Sequence, residues 1–346
     1  MNEFLMPLAA GLRLGVALEK IAYRKGWLRA RRLSRPVVSI GNLTAGGTGK
    51  TPLTAFIADR LRMRGLRPAI LTRGYGRRSR GIIALEPASE RSPDPREVGD
   101  EPALLARKLP GIPIVVCADR YRAGRLAEEM FGVDLHLLDD GFQHFRLARD
   151  IDIVLLDTTQ EPSGLGSKMG GWRRESYSAL ERAHVVVLTR TELGDPRLIE
   201  SCVARVNPQA KIFRATTRLG ALAELAGNRL LAADTLQGKP VLAFCGIGNP
   251  RAFWADLRRW GFSLLGEVAF RDHHLYTPRA LNRLISRARA SGAEALVTTE
   301  KDMVNFPQGW KPPLPVFACI TETEIFQSEA FEESLVAHLG ATTVRV

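Results

Sequence analysis

A short apolar strand, Val37-Val-Ser-Ile40, leads into Gly41-Asn-Leu-Thr-Ala-Gly-Gly-Thr-Gly-Lys-Thr51, and a helical stretch from about Pro52 to Arg64 follows at once. Strand, glycine-rich turn and helix in that order leave few folds open. Glycines at 46, 47 and 49 let the backbone turn its N–H groups inward around phosphate oxygens, and the next helix adds the positive end of its dipole. Thr44, Ala45, Gly46, Gly47, Thr48, Gly49, Lys50 and Thr51 are the expected nucleotide-binding residues. Lys50 would reach the β- and γ-phosphates, and the Thr51 hydroxyl would meet magnesium. One position departs from the usual spacing: Thr44 stands where the pattern begins with glycine.

The pattern around this loop predicts an α/β protein. Strands are expected at 68–72, 112–117, 135–138, 151–156 and 185–189, with helices at 101–108 and 122–131 between them. Apolar strands alternating with helices read as βαβ units around a parallel sheet. A second, smaller α/β unit begins near Pro240, with strands at 241–245, 264–270 and 295–298 and helices at 250–260 and 278–291. The expected organisation is a P-loop NTPase-like parallel sheet with flanking helices over 36–212, a linker over 213–239, and a smaller C-terminal α/β domain over 240–346.

Residues 1–35 read as an N-terminal amphipathic helix. Leu5, Leu8, Leu12, Val16, Ile21 and Trp27 are its apolar content, and Arg24, Lys25, Arg29, Arg31 and Arg32 form a basic end. Such a segment suits an anionic membrane surface, though a helix packed on its own domain with a solvated basic face has the same pattern. The formal net charge of +12 also favours anionic partners without choosing among them. No apolar run is long enough to span a bilayer. Cys117, Cys202, Cys245 and Cys319 lie far apart with no metal-ligand spacing, which reads as reduced thiols rather than a disulfide framework or zinc site.

Leu135-His-Leu-Leu-Asp-Asp-Gly-Phe-Gln-His144 places Asp139 and Asp140 at the carboxyl end of an apolar strand. Ligands of parallel α/β sheets collect at that edge, and a carboxylate there would hold Mg²⁺ against the nucleotide. Asp100, in Gly99-Asp-Glu-Pro102, is either the cap of the next helix or a general base for a substrate hydroxyl. Phe270-Arg-Asp-His-His-Leu-Tyr276 offers two histidines, and successive residues of an extended chain point opposite ways, so His273 alone is taken as the site residue. Thr298-Thr-Glu-Lys-Asp302 reads by itself as a solvated turn after a strand, and Arg73-Gly-Tyr-Gly-Arg77 as a flexible cationic turn suited to phosphate or sugar.

Together these segments, with Gly246-Ile-Gly-Asn-Pro250, closely resemble the tetraacyldisaccharide 4′-kinase family, over about Pro36 to Asn305 and in the family's order. The resemblance implies ATP-dependent phosphorylation, with Mg²⁺, of the 4′-hydroxyl of a tetraacylated glucosamine disaccharide 1-phosphate, the lipid A precursor. It implies a peripheral location on the cytoplasmic face of the bacterial inner membrane. It also implies catalytic roles for Lys50, Asp100 and His273, metal contacts for Thr51, Asp139 and Asp140, and substrate contacts for Arg73, Arg120, Gln143, His144 and Arg174. No stable protein partner is expected. One segment departs: Gly164-Leu-Gly-Ser-Lys-Met-Gly-Gly-Trp-Arg-Arg-Glu-Ser176 lacks the family's prolines but keeps the Arg174-Glu175 pair.

Two rival readings follow from the same residues. A membrane-associated P-loop ATPase or GTPase without a lipid acceptor would share the loop and the basic N-terminus. A nucleic-acid-binding module would share the charge, but no helix-turn-helix, zinc or aromatic RNA-reading pattern is present.

Overall fold

The computed structural model describes residues 22–343, apart from 24, 45, 88–92, 161–173, 226–228 and 308. The helix expected within 1–35 lies outside the described residues up to position 21 and does not run to its expected end. Ala22 and Tyr23 are helical, but from Lys25, where Gly26 takes a positive φ of 73°, the chain is turn and extended. Ala45 of the phosphate loop also lies outside the described residues.

The strands of the first half are β1 (Val37–Asn42), β2 (Pro68–Thr72), β3 (Ile83–Leu85), β4 (Ile114–Val116), β5 (Leu135–Asp139), β6 (Ile151–Asp157) and β7 (Val185–Thr189). A long strand, β8 (Lys211–Glu224), and a short one, β9 (Leu230–Ala232), come next. The second half supplies β10 (Pro240–Cys245), β11 (Ser263–Ala269), β12 (Ala295–Thr299) and β13 (Val316–Ile325). Among the described residues they form one sheet in the order β11-β10-β12-β13-β8-β7-β6-β1-β5-β2-β4-β3, with β9 paired to β8.

Strands β1, β2, β5, β6 and β7 are buried along their whole length, as continuous apolar runs must be when helices cover both faces. On one face Val38, Ile40 and Ile153 meet Leu53 and Ile57 of the helix Lys50–Met63 and Leu105 of the helix Asp100–Lys108. On the other, Val37 and Leu71 meet Ala123 and Ala127 of the helix Arg120–Phe131. In the second half the helix Pro250–Arg259 packs Phe253, Trp254 and Leu257 on one face, and the helix Pro278–Ser291 packs Leu281 and Ile285 on the other. Each half is thus three layers thick.

The stretch 213–239, expected as a linker, is largely sheet. Lys211–Arg214 of β8 pairs in parallel with β7, and Ala215–Glu224 pairs antiparallel with β13. The register slips once, between Ile320 and Thr321, leaving Gly220 of β8 as the extra residue of a bulge. Because β13 is parallel to β12, and β12 to β10, the parallel strands of the second half run opposite to those of the first. The carboxyl ends of both sets therefore face each other. The final helix, Ser328–Thr343, does not stay with the C-terminal half: Phe331 and Leu335 pack among Val185, Val187 and Phe213 of the first.

Candidate active site

The phosphate loop leaves the carboxyl end of β1 and enters the helix Lys50–Met63 through Gly49, whose φ of 88° lies in the left-handed region open to glycine. No side chain caps that helix, so its first N–H groups stay available to an anion. Asn42 Nδ2 donates to the buried Thr48 hydroxyl at 2.7 Å, and Thr189 Oγ1, at the end of β7, donates to the Thr48 carbonyl at 3.2 Å. From the opposite half, the Gly246–Pro250 turn packs directly on this loop. A Cβ on Gly248 would lie 2.8 Å from the Gly47 nitrogen and 3.0 Å from the Gly46 Cα.

Asp139 and Asp140 close β5 beside the loop and resolve their mutual repulsion differently. Asp139 is buried and accepts the Thr54 hydroxyl at 3.2 Å. Burial, with Glu101 and Asp140 nearby, pushes its carboxyl up to about 7. Asp140 adopts a left-handed backbone, φ 52°, and turns toward Lys50 Nζ at 3.5 Å and Arg174 Nη1 at 2.6 Å. Burial opposes its ionisation, but those two cations outweigh it and hold the carboxylate below its ordinary range. Arg174 thus meets Asp140, whatever it does for substrate. Thr51 occupies the second position of the helix, half-buried.

Asp100, in the same half as the loop, is not a cap. Gly99 takes that place and Asp100 begins the helix proper, with its Oδ1 accepting the Glu101 N–H at 2.9 Å. His273 of the second half, itself at φ 59°, donates from Nδ1 to Asp100 Oδ2 at 2.7 Å. His274 points away and stacks on Phe270, ring centroids 4.5 Å apart. Burial alone would raise the Asp100 carboxyl, but the His273 hydrogen bond and the Lys301 charge lower it on balance. The same hydrogen bond raises the imidazole above its usual value against burial. The His273 Nε2 faces away from Asp100, 3.7 Å from Asp272 Oδ2.

A third cluster lies at the ends of β2, β4 and β5. Arg120 is buried, and its Nε has no partner among the described residues, while Nη1 donates to the Ala118 carbonyl at 2.9 Å. Burial, with Arg73 adding repulsion, lowers its guanidinium to about 10. Burial, then Arg120, brings His144 down to about 4, so that ring is neutral. Gln143 Nε2 donates to the Asn42 carbonyl at 2.9 Å, tying this turn to the phosphate-loop strand. A neutral imidazole beside a desolvated guanidinium is arranged to take up an anion.

Two groups that sequence reasoning left aside belong here. Lys301 Nζ lies 3.3 Å from Asp272, 3.7 Å from Glu101 and 3.8 Å from Asp100. Asp302, buried behind it, accepts from the Gly246 N–H at 2.7 Å and from the Tyr276 hydroxyl at 2.8 Å. It therefore pins the turn that touches the phosphate loop. The Thr299-Glu-Lys-Asp302 segment reads as a solvated turn only while its neighbours are unknown. The signal in its favour was its place at a strand's carboxyl end.

Comparison with known proteins agrees with this geometry. The sequence model of the family Tetraacyldisaccharide-1-P 4′-kinase matches residues 1–340. The chain is similar to a tetraacyldisaccharide 4′-kinase of Geobacter metallireducens, 37% identical over 96% of this chain and 96% of the relative. It is similar also to one of Koribacter versatilis, 39% identical over 95% and 97%. Among solved structures it resembles the "apo" form of LpxK from Aquifex aeolicus in complex with ATP, at a TM-score of 0.73 and 29% identity, covering 97% of this chain and 98% of that one. With the loop, the carboxylate edge and the facing Asp–His pair in place, this chain belongs to the tetraacyldisaccharide-1-phosphate 4′-kinase family.

Proposed function

We propose that the protein transfers the γ-phosphoryl group of ATP to the 4′-hydroxyl of a tetraacylated glucosamine disaccharide 1-phosphate, a step in lipid A synthesis. One observation supports this above the rest: the ionised carboxylate of Asp100, in the same half as the phosphate loop, is bonded to His273 brought in by the other half. A P-loop ATPase that only cycles nucleotide has no need of a second half that completes a proton acceptor. Membership of a lipid kinase family disfavours that rival further.

The donor set fits ATP with magnesium. The Thr51 hydroxyl and the carboxylates of Asp139 and Asp140 are hard oxygen ligands, and an open helix N-terminus flanks them. When bound, Mg-ATP supplies the phosphoryl group and a divalent charge beside it. The chain's own residues do the rest by positioning and charge. Lys50, 3.5 Å from Asp140 at the start of the helix, would neutralise the transferring phosphoryl oxygens. The Asp100–His273 pair takes the proton of the attacking hydroxyl: Asp100 is ionised at neutral pH, and its hydrogen bond makes the ring a stronger base. Arg120, with Arg73 exposed nearby, and the neutral His144 hold the phosphate already present on the acceptor. The two halves close on the site about β8 and β13.

No described helix is long and apolar enough to cross a membrane. Trp27, 71% exposed, follows Lys25 and precedes Arg29 at the entrance to the first half, which suits contact with an anionic inner-membrane surface on the cytoplasmic side, where acceptor lipid and ATP meet. The direct test supplies purified protein with Mg-ATP and the tetraacyldisaccharide 1-phosphate in detergent. Phosphate added at the 4′ position is the expected result; acceptor-independent hydrolysis at full rate with no phosphorylated lipid would defeat the reading.

A further inference from the structure

The helix Asp100–Lys108 brings Asp100 to the cleft from the first half, yet groups of the second half hold it at both ends. At its start Lys301 Nζ lies within 3.8 Å of Asp100 and 3.7 Å of Glu101. At its far end Lys108 Nζ donates to Glu300 Oε1 and, at 3.0 Å, to the carbonyl of Thr321. Glu300 and Lys301 are consecutive residues of one short helix after β12. The two contacts have opposite polarity: the second half offers a cation to the start of the helix and an anion to its end.

Neither contact is a solvated surface pair. The Lys108 and Glu300 side chains are 18% and 10% exposed, and the Thr321 hydroxyl also donates to Glu300, at 3.3 Å. Thr321 is the residue at which the β13 register slips against β8. Lys108 therefore ties the Asp100 helix at once to the β12 edge and to the bulge of the strand pair that joins the halves. Without it, the charged contacts that remain to the second half among the described residues sit at the Asp100 end, and the helix can pivot there. A pivot of about 1 Å at a reacting group costs on the order of a hundredfold in rate, while binding of nucleotide at a distant loop is spared.

We propose that Lys108 and Glu300 form a positioning pair which, with Lys301, clamps the Asp100 helix so that the Asp100–His273 contact forms in register with the phosphate loop. Neither residue touches substrate. The inference rests on the reading of Asp100 and His273 as the proton-accepting pair.

The test is a double-mutant cycle of Lys108→Met and Glu300→Gln on the full chain, with Lys108→Arg alongside, assayed with Mg-ATP and the acceptor lipid. Each single change is expected to lower kcat about tenfold or more with the KM for ATP within about twofold. The double variant should be no worse than the poorer single one, since removing one partner strands the other's buried charge. Lys108→Arg should retain most of the rate. Tm is measured for every variant. Unchanged kcat in both single variants, additive losses, or losses that merely follow the unfolded fraction would each overturn the proposal. An inactive wild-type chain would instead strike at the functional reading itself, and a wild-type chain that transfers phosphate while Asp100→Asn matches it would remove the pair this clamp is meant to serve.

Discussion

Asp100 Oδ2 and His273 Nδ1 lie 2.7 Å apart although 173 positions separate them in the chain. The contact spans the two halves, so whatever moves one half against the other also makes or breaks it. Asp100→Asn keeps the shape of the side chain and removes its basicity. Steady-state phosphate transfer is expected to fall by about 10²–10⁴-fold, with Tm near that of the wild type. His273→Gln should fall less, because the carboxylate remains. Near-normal turnover in Asp100→Asn would show that the proton goes elsewhere.

The same pair makes a signed prediction about pH. The folded Asp100 titrates below its ordinary 3.8, so its stabilising share is complete above that value and is lost as pH falls through the depressed folded value. The folded His273 titrates above its ordinary 6.5, so its share is complete below that value and is lost as pH rises through the raised one. The Tm gap between wild type and Asp100→Asn should therefore be widest between about 3.8 and 6.5 and narrow on either side. Thermal melts from about pH 3 to about 9 would show it; a gap that widens into the alkaline range would contradict the pairing.

Lys50 is shared between the phosphate loop and Asp140. Replacing it by Met should lower kcat by about 10²–10³-fold, the scale of losing one preorganised charge-stabilising donor. Stability should drop little, because Arg174 still meets Asp140 at 2.6 Å. Activity assays and melts of Lys50→Met, Arg174→Met and the double variant separate the two roles. Only the double variant leaves Asp140 without either cation, and it alone should melt markedly earlier.

Gly248 is a purely steric probe of the closed cleft. Ala at this position brings a methyl 2.8 Å from the Gly47 nitrogen, so the turn must back away from the phosphate loop. We expect transfer to fall about tenfold or more, with the core and Tm little changed, since the clash lies at the junction of the halves. A wild-type rate in Gly248→Ala would mean that this junction is open when the reaction occurs.

The exposed entrance at Trp27 predicts salt-sensitive vesicle binding. Lys25→Gln with Arg29→Gln should weaken partition onto vesicles containing anionic lipid by about thirtyfold at low salt, at about 1 kcal/mol per cation lost. Sedimentation with neutral vesicles serves as the reference. Equal binding to both vesicle types would set the electrostatic account aside.

Much of both halves was legible from sequence. Val185–Thr189, Pro68–Thr72 and the helix Pro278–Ser291 fall where their patterns placed them, because fully apolar runs and a Thr-Pro helix start admit few other structures. The phosphate loop was legible for the same reason: glycine spacing is a local property of the backbone. Strand β8 was not. Its Lys-Ile-Phe-Arg-Ala-Thr-Thr-Arg segment is half-exposed and mixes charge with apolar residues, so it reads as a connection. Lys108 and Lys301 were out of reach on similar grounds. They have partners across the cleft, and nothing local announces that the second sheet half runs opposite to the first.

The junction at β8 and β13 has one consequence for how this chain can vary. A strand alternates its faces residue by residue, so losing a single residue between Ala215 and Leu219 would turn over everything downstream. Unless the Gly220 bulge took up the loss, the Asp100–His273 contact would fall out of register while every local motif remained intact in the sequence. Along this ribbon the count of residues matters more than their identity, and a chain with all its signatures could still be inert for want of one amino acid.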